Sequence, residues 1–140
     1  MVIVLDTNVL VAATLSPFGA SFQILTLVPQ RRFELLLSVP LMLEYEEVLK
    51  RDDMRAQSHL TLEEVDVLLD MLAAVGTPCT PFFRWRPQLS DPDDDMLLEL
   101  AANGRADTIV TINTRDFLPA AGRFGVAILQ PGEFLRRLRS

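Results

Sequence analysis

Residues Ile3-Val4-Leu5-Asp6-Thr7-Asn8-Val9-Leu10 join an apolar, strand-like run to a run that can begin a helix. Asp6 lies at the junction of the two runs. Ligands of open α/β sheets bind beyond the carboxyl ends of the strands, so an acid at this place faces a crevice. Asp is also one of the preferred N-cap residues, and the octapeptide alone favours that structural role. The segment therefore predicts an α/β sheet with Asp6 at its carboxyl edge.

The remaining chain alternates strand-like and helix-like runs that are separated by Pro and Gly. The stretch 81–92 contains three prolines and is predicted to be a loop. The predicted strands are 2–5, 33–38, 77–80, 107–112 and 125–129, and the predicted helices are 8–14, 20–31, 39–51, 61–76, 91–104 and a closing helix from Pro131. This order predicts a three-layer α/β/α domain with a central, mostly parallel sheet of about five strands.

The 140 residues are expected to form a single domain, 1–140, with a sizeable core. No run approaches the ~20 apolar residues that a bilayer span needs, and the apolar N-terminus lacks the basic start of a secretory signal. A soluble, cytoplasmic protein is therefore expected, with no membrane partner. Cys79 and His59 are the only residues of their types, so neither an internal disulfide nor a zinc site of the usual nitrogen and sulfur type can form. Any metal must be held by oxygen.

The formal net charge is −6, from 19 acids and 13 bases. This balance is unusual for a protein that binds nucleic acid through a broad basic face. All of the bases except Lys50 are arginines, which suit bidentate contacts to phosphate. The codon bias of a GC-rich genome is the simpler explanation of that excess. Lys50 is also the only candidate for chemistry that needs an activated amine.

Asp91, Asp93, Asp94 and Asp95 place four carboxylates within five residues. A helix N-terminus favours each acid by about 0.3–1 kcal/mol, and Asp91 with Asp94 would make an ordinary cap. A cap needs only one or two acids, however, and further like charges in one turn repel each other. A bound cation would relieve that repulsion, and oxygen ligands select Mg²⁺ or Mn²⁺.

The predicted helix 39–51 carries three glutamates. Glu44 and Glu46 flank its buried stripe on opposite sides, whereas Glu47 points to solvent. Periodicity alone does not choose between the two flanking residues. An exposed charged face is the expected role of Glu46 and Glu47.

Polar residues also follow the predicted strand 107–112. Thr111, Asn113 and Asp116 lie at or just beyond its carboxyl end, where they can turn toward the same crevice as Asp6. Turn chemistry alone would also favour Asn and Asp here. The role of these residues therefore stays open on local grounds.

Together these motifs resemble the PIN domain, the nuclease family of the VapC-type toxins of toxin–antitoxin systems. Each motif alone is weak, but their order and spacing extend over nearly the whole chain. The family's motifs stand here as D-T-N-V-L at 6–10, the helical acid Glu44 within 38–45, D-P-x-D-D at 91–95, V-T-x-[DN] at 110–113 and I-L-x-P-x-E-F-L at 128–135.

The resemblance implies that Asp6, Glu44 and Asp95 are catalytic, metal-binding acids. Many members of the family have Asp where this chain has Asn113. Either Asp116 therefore supplies the fourth catalytic and metal-binding acid, or a second metal is held more loosely. The supporting polar residues implied for the site are Asn8, Thr111, Asn113, Asp91 and Asp94.

The resemblance also implies an activity, a Mg²⁺- or Mn²⁺-dependent endoribonuclease that acts on RNA. Two ions held ~3.5–4 Å apart by carboxylates would activate water and stabilise the leaving oxygen. Arg84, Arg86 and Arg115 would meet the RNA backbone. The implied partners are a small antitoxin protein and, as in many members, a second copy of the chain.

Three other functions are alternatives. A haloacid-dehalogenase-like phosphatase also begins with a strand and Asp-x-Asp, but Asn8 replaces its second acid and only Lys50 can supply its lysine. A receiver domain needs its acceptor Asp after a third strand and a lysine after the fifth, and neither is present. A catalytically inert PIN-like binding module is suggested by Asn113. Loss of a core acid would favour it, but all three are present.

Overall fold

The structure is a computed structural model that describes residues 1–80, 92–118, 122 and 124–140. For residues 92 and 93 only the helical backbone is described. The loop predicted for 81–92 lies outside the described residues except at its end, and so do Arg84, Arg86 and Asp91.

Five parallel strands form the central sheet, in the order β3-β2-β1-β4-β5. Each side chain from Ile3 to Leu5 in the central strand is fully buried, as expected for a parallel sheet covered on both faces. The strands are β1 (Val2–Leu5), β2 (Glu34–Leu37), β3 (Thr77–Pro78), β4 (Thr108–Val110) and β5 (Ala127–Leu129). The predicted parallel α/β sheet is confirmed.

Helices cover both faces of the sheet. The α-helices of the described residues are α1 (Thr7–Leu15), α2 (Ala20–Leu27), α3 (Val39–Leu49), α4 (Asp52–Ser58), α5 (Leu62–Val75), α6 (Pro92–Asn103) and α7 (Pro131–Arg139). α1 contacts α2 and α3, α2 contacts α7, and α3 contacts α5, whereas α6 packs on β1, β2 and β4. The chain reverses its direction across the sheet between β3 and β4. Because the crossovers of parallel strands are right-handed, α6 lies on the face opposite to that covered by α1, α3 and α5. The result is three layers.

Local sequence chemistry fixes the helix that carries the predicted glutamates. Ser38 caps α3 by accepting a hydrogen bond from the Leu41 amide (3.2 Å), and Pro40 lies in the first turn, where no N–H is needed. Leu41, Tyr45 and Leu49 form its buried stripe. α3 therefore begins directly after β2, at the carboxyl edge of the sheet.

Helix α4 was not predicted from the sequence. None of its side chains is buried, so it lacks the apolar periodicity that predicts a helix. Its first turn carries Asp52 and Asp53, and Arg55 pairs with Asp52 (3.1 Å). The predicted helix 20–31 is also shorter than expected, because a 3-10 turn at Val28–Gln30 follows α2.

The described helices include none that is by itself long and apolar enough to cross a bilayer. Thr7–Leu15 and Ala20–Gln30 meet the criteria of length and composition only as a pair bent by 106°. Val9, Leu10 and Ile24 of this pair lie in the core.

Candidate active site at the carboxyl edge of the sheet

The central pair of strands, β1 and β4, marks the switch point of the fold. From β1 the chain winds through β2 to β3, and it then returns to build β4 and β5 on the other side. Leu5 pairs with Val110 at the end of this ladder, so Asp6 and Thr111 are the next residues on both strands. Crevices at such points bind the ligands of open α/β sheets.

Asp6 is held toward β4 at this switch point. Its backbone N–H donates to the Val110 carbonyl (3.0 Å), and its Oδ2 accepts a hydrogen bond from Thr111 Oγ1 (2.8 Å). Asp6 occupies the N-cap position of α1, but within the described residues its side chain makes no capping hydrogen bond to that helix. Helix capping, the role favoured by the octapeptide alone, therefore does not explain this acid.

Thr111 is the centre of a polar network. Its buried hydroxyl accepts hydrogen bonds from Asn8 Nδ2 (3.3 Å) and from the Asn113 backbone N–H (3.1 Å). Asn8 Oδ1 in turn accepts from the Ile112 N–H (3.2 Å). Since both acceptor positions of the hydroxyl are used, its one proton is directed at Asp6. The network therefore orients the Asp6 side chain at the strand end.

Glu44 lies on the side of α3 that faces the same junction. Thr7 Oγ1, one residue beyond Asp6, donates a hydrogen bond to Glu44 Oε2. The neighbouring Tyr45 is fully buried and donates its hydroxyl to the Leu5 carbonyl (2.5 Å). Burial raises the pKa of Tyr45 well above its usual value, and the negative charges of Asp6 and Glu44 raise it further. The hydrogen bond from Thr7 thus holds Glu44 one residue along the chain from Asp6.

The other two glutamates of α3 lie in surface ion pairs. Glu46 binds Lys50 (3.0 Å) and Glu47 binds Arg51 (2.9 Å), one turn along the helix in each case. Lys50 also pairs with Asp66 of α5 (2.7 Å). Hydrogen bonds to Asp66 and to Glu46 raise the pKa of Lys50. The structure thus separates Glu44, at the junction, from Glu46, on the α3–α5 face.

The acidic start of α6 lies at the same edge of the sheet. α6 ends shortly before the amino end of β4 and packs along β1 and β4, so its first turn is at their carboxyl ends. Asp94 and Asp95 are half-buried in this turn. The topology therefore places them at the edge of the sheet at which Asp6 lies.

Asp116 lies in a 3-10 turn, Thr114–Asp116, that follows β4. It is exposed, and it lines a depression of about 380 Å³. The described residues around this depression are Ile112, Asn113, Thr114, Arg115, Asp116 and Gln130. Asp116 is thus at the predicted edge of the sheet, but in a depression that does not include Asp6 or Glu44.

The donors at this edge suit a hard cation. Mg²⁺ is usually bound through one or two carboxylates and keeps several waters, which the pair of Asp6 and Glu44 fits. The part of the chain that the structure describes contains no group of three or more His, Cys, Asp or Glu close enough to hold a metal ion. Asp95 and Asp116 lie at the same edge of the sheet as Asp6 and Glu44, but they do not form a group of three or more ligands with that pair.

Comparison with known proteins identifies the family. A family model described as "PIN domain" matches residues 2–115, from β1 through Asp6, Glu44, Asp95 and Thr111. The chain belongs to the PIN domain family. The resemblance predicted from the motifs is thereby confirmed. Asp116 lies one residue beyond the matched range.

Solved structures show the same PIN fold. The chain resembles a chain of the crystal structure of VapBC2 from Rickettsia felis bound to a DNA fragment from their promoter, with a TM-score of 0.58. The match covers 93% of this PIN domain and 98% of that chain at 15% identity, so it concerns the fold. Among curated proteins, none matches the sequence significantly.

Two polar residues of the junction had no role in the sequence analysis. Thr7 was part of the quoted motif, and Tyr45 belonged to the buried stripe of α3. A signal was available for Tyr45, because a buried tyrosine hydroxyl usually has a hydrogen-bond partner. The identity of that partner, the carbonyl of Leu5, depends on tertiary contact and is not encoded locally.

Proposed function

We propose that this PIN domain is a Mg²⁺- or Mn²⁺-dependent endoribonuclease that hydrolyses RNA phosphodiester bonds. The observation that carries the proposal is the Asp6–Thr111 hydrogen bond at the switch point, with Glu44 held beside it through Thr7. This arrangement keeps two carboxylates at the switch point, where open α/β folds commonly bind their ligands. Family membership supports nuclease chemistry in general.

Each residue has a distinct part in the proposed reaction. Asp6 and Glu44 would hold the divalent cation, which when bound would supply an activated water and charge stabilisation at the leaving oxygen. Thr111 orients the Asp6 carboxylate and is itself held by Asn8, as outer partners of metal ligands commonly are. Asp95, in the first turn of α6, completes the acidic edge when RNA and cation are bound.

The proposed place of RNA contact is the depression around Arg115 and Asp116, at the same edge of the sheet as Asp6. Arg115 is exposed there, and a guanidinium can bind a phosphate through two hydrogen bonds. In contrast, Lys50, Arg51 and Arg55 are paired with acids of α3, α4 or α5. A few arginines at the edge of the site, rather than a broad basic face, would therefore bind the backbone, in keeping with the net charge of −6.

We further propose that the nuclease is the cytoplasmic toxin of a toxin–antitoxin pair, on the strength of the VapC-type motifs and the shared fold. Val39 and Leu43 support a protein partner, because they lie one turn apart on the helix that carries Glu44 and are 73% and 59% exposed. Residues four apart are neighbours on a helix surface, and contiguous exposed apolar patches commonly mark interaction surfaces. The proposed occupant is the antitoxin. Light scattering of the chain alone, and co-purification from its native operon, separate this occupant from a homodimer.

The phosphatase alternative receives no support from the position of its lysine. Lys50 is bound to Glu46 and Asp66 on the α3–α5 face, away from the Asp6 junction. The inert binding module differs from the nuclease in activity alone. Incubation of a generic RNA with the purified protein, in Mn²⁺ and in EDTA, tests the choice between them. Cleavage that needs Mn²⁺ and disappears in Asp6→Asn supports the nuclease, and no cleavage by the wild type contradicts it.

A further inference from the structure

Tyr45 connects the two acids of the proposed site. It follows Glu44 directly in α3, and its hydroxyl donates to the carbonyl of Leu5, the residue before Asp6 (2.5 Å). The side chain is fully buried. One side chain therefore ties the helix that carries the first carboxylate to the strand end that carries the second.

The register of the sheet explains why this carbonyl is available. The ladder of β1 with β2 pairs Val2 with Glu34 and Ile3 with Leu35, whereas its ladder with β4 continues to Leu5 and Val110. The end of β1 is thus held by β4 on one side. On the other side, beyond the pairs with β2, the Leu5 carbonyl meets the Tyr45 hydroxyl.

A second hydrogen bond acts between the same two elements. Thr7 Oγ1, one residue after Asp6, donates to Glu44 Oε2. The two hydrogen bonds lie on either side of Asp6 along the chain and at two consecutive residues of α3. Together they fix the separation of the two backbones and the orientation of the Glu44 carboxylate.

We propose that Tyr45 is a positioning residue that, together with Thr7, sets the spacing of the Asp6 and Glu44 carboxylates and hence their affinity for a divalent cation. The inference rests on the proposed function, because it assigns a role within that site. Packing alone does not require the hydroxyl, since Leu41 and Leu49 fill the same stripe with apolar side chains.

The test compares Tyr45→Phe and Thr7→Val with Thr61→Ala as the control. Thr61 caps α5 through the Glu64 amide (3.1 Å), so its loss destabilises the fold away from the site. For each protein we would measure the Mn²⁺ dissociation constant by calorimetry, the melting temperature in EDTA, and kcat and KM on RNA. We expect Tyr45→Phe to bind Mn²⁺ about tenfold to a hundredfold more weakly and to lose kcat without a rise in KM. Thr61→Ala should melt lower and bind Mn²⁺ like the wild type.

Each contrary result has a separate meaning. If the wild type binds Mn²⁺ and cleaves RNA while Tyr45→Phe has the same dissociation constant, the positioning role is wrong and the nuclease stands. If Thr61→Ala loses as much affinity as Tyr45→Phe, the effect is one of general stability and the role is also wrong. If Tyr45→Phe does not fold, the Mn²⁺ dissociation constant of Thr7→Val takes its place: weaker binding than in the wild type supports the positioning role, and equal binding contradicts it. A wild type that neither binds Mn²⁺ nor cleaves RNA overturns the proposed function, and the positioning role with it.

Discussion

Thr111 donates its hydroxyl proton to the Asp6 carboxylate across the boundary between β1 and β4, at 2.8 Å. The same oxygen accepts hydrogen bonds from Asn8 and from the Asn113 backbone, so the proton has one available direction. The hydroxyl thus acts as a fixed donor to an acid at the switch point of the fold. Five expected outcomes follow from this site and its surroundings.

Replacement of Thr111 by Val removes the donor and keeps the shape of the side chain. We expect activity to fall about tenfold to a hundredfold, because outer partners of metal ligands contribute that much. The unpaired polar groups should also reduce the free energy of unfolding by about 1–3 kcal/mol. Thr14→Val is the matched control, since Thr14 bonds only to its own helix at Val11 (2.8 Å) within the described residues. Equal activities of the two variants would contradict the role of Thr111.

The glutamates of α3 should differ sharply in Gln variants. Glu44→Gln is expected to lose kcat/KM by orders of magnitude, with each tenfold loss equal to about 1.4 kcal/mol of transition-state stabilisation. Glu46→Gln and Glu47→Gln remove only exposed ion pairs, which contribute about 0–1 kcal/mol to stability, and should keep wild-type activity. Single-turnover cleavage assays measure the difference. A larger loss in Glu46→Gln than in Glu44→Gln would place the site on the wrong side of the helix.

Arg115 should affect binding more than chemistry. In Arg115→Ala we expect KM for RNA to rise with kcat nearly unchanged, because a phosphate contact is made equally in the ground and transition states. The salt dependence of binding should weaken as well. Arg136→Ala, which removes an exposed arginine from α7, serves as the control. A fall in kcat at constant KM would instead place Arg115 at the reacting phosphate.

Metal should stabilise the wild type more than Asp6→Asn. Binding linkage predicts a gain of ~2.7 kcal/mol when the free metal is a hundred times its dissociation constant. Asp6→Asn removes one of the two carboxylates, so its melting temperature should change little between EDTA and Mn²⁺. Differential scanning calorimetry of both proteins in both conditions measures this. An equal shift in both proteins would mean that Asp6 does not bind the ion.

Alkaline pH should destabilise the fold through Tyr45, the single tyrosine of the chain. Its folded pKa is raised above that of the unfolded chain, so the unfolded state loses the proton first. The stabilisation is therefore complete below about pH 10 and decreases at higher pH by up to about 1.4 kcal/mol per pH unit. Urea unfolding of wild type and Tyr45→Phe across this range measures the difference. Lys50 titrates in both proteins, so a steeper decline in the wild type isolates the phenol.

Local sequence patterns were sufficient for the elements that place Asp6. The apolar run before it is the central strand. Thr61 and Glu64 have the spacing typical of a capping box, and the structure contains that box at the start of α5. The sequence also predicts an apolar stripe on α3 from Leu41, Tyr45, Val48 and Leu49, and all of these except the half-buried Val48 are fully buried.

Other features depend on contacts that no local pattern encodes. Periodicity placed Glu44 and Glu46 on opposite flanks of a helix. Lys50, the partner of Glu46, lies only four residues along the chain, but Thr7, the partner of Glu44, is set by tertiary packing. The exposed helix α4 has no buried residue and hence no periodic signal. The catalytic roles of Asp95 and Asp116 stay predictions.

The ladder between β1 and β4 also has a consequence for biosynthesis. Asp6 and Thr111 are 105 positions apart in the chain, and β1 is an edge strand until β4 has joined it. A ribosome adds roughly 5–20 residues per second, so several seconds separate the synthesis of the two residues. During that interval the first acid has neither its donor nor the second wall of its crevice. We therefore expect the nascent protein to be harmless to the RNA around it until most of the chain has been made.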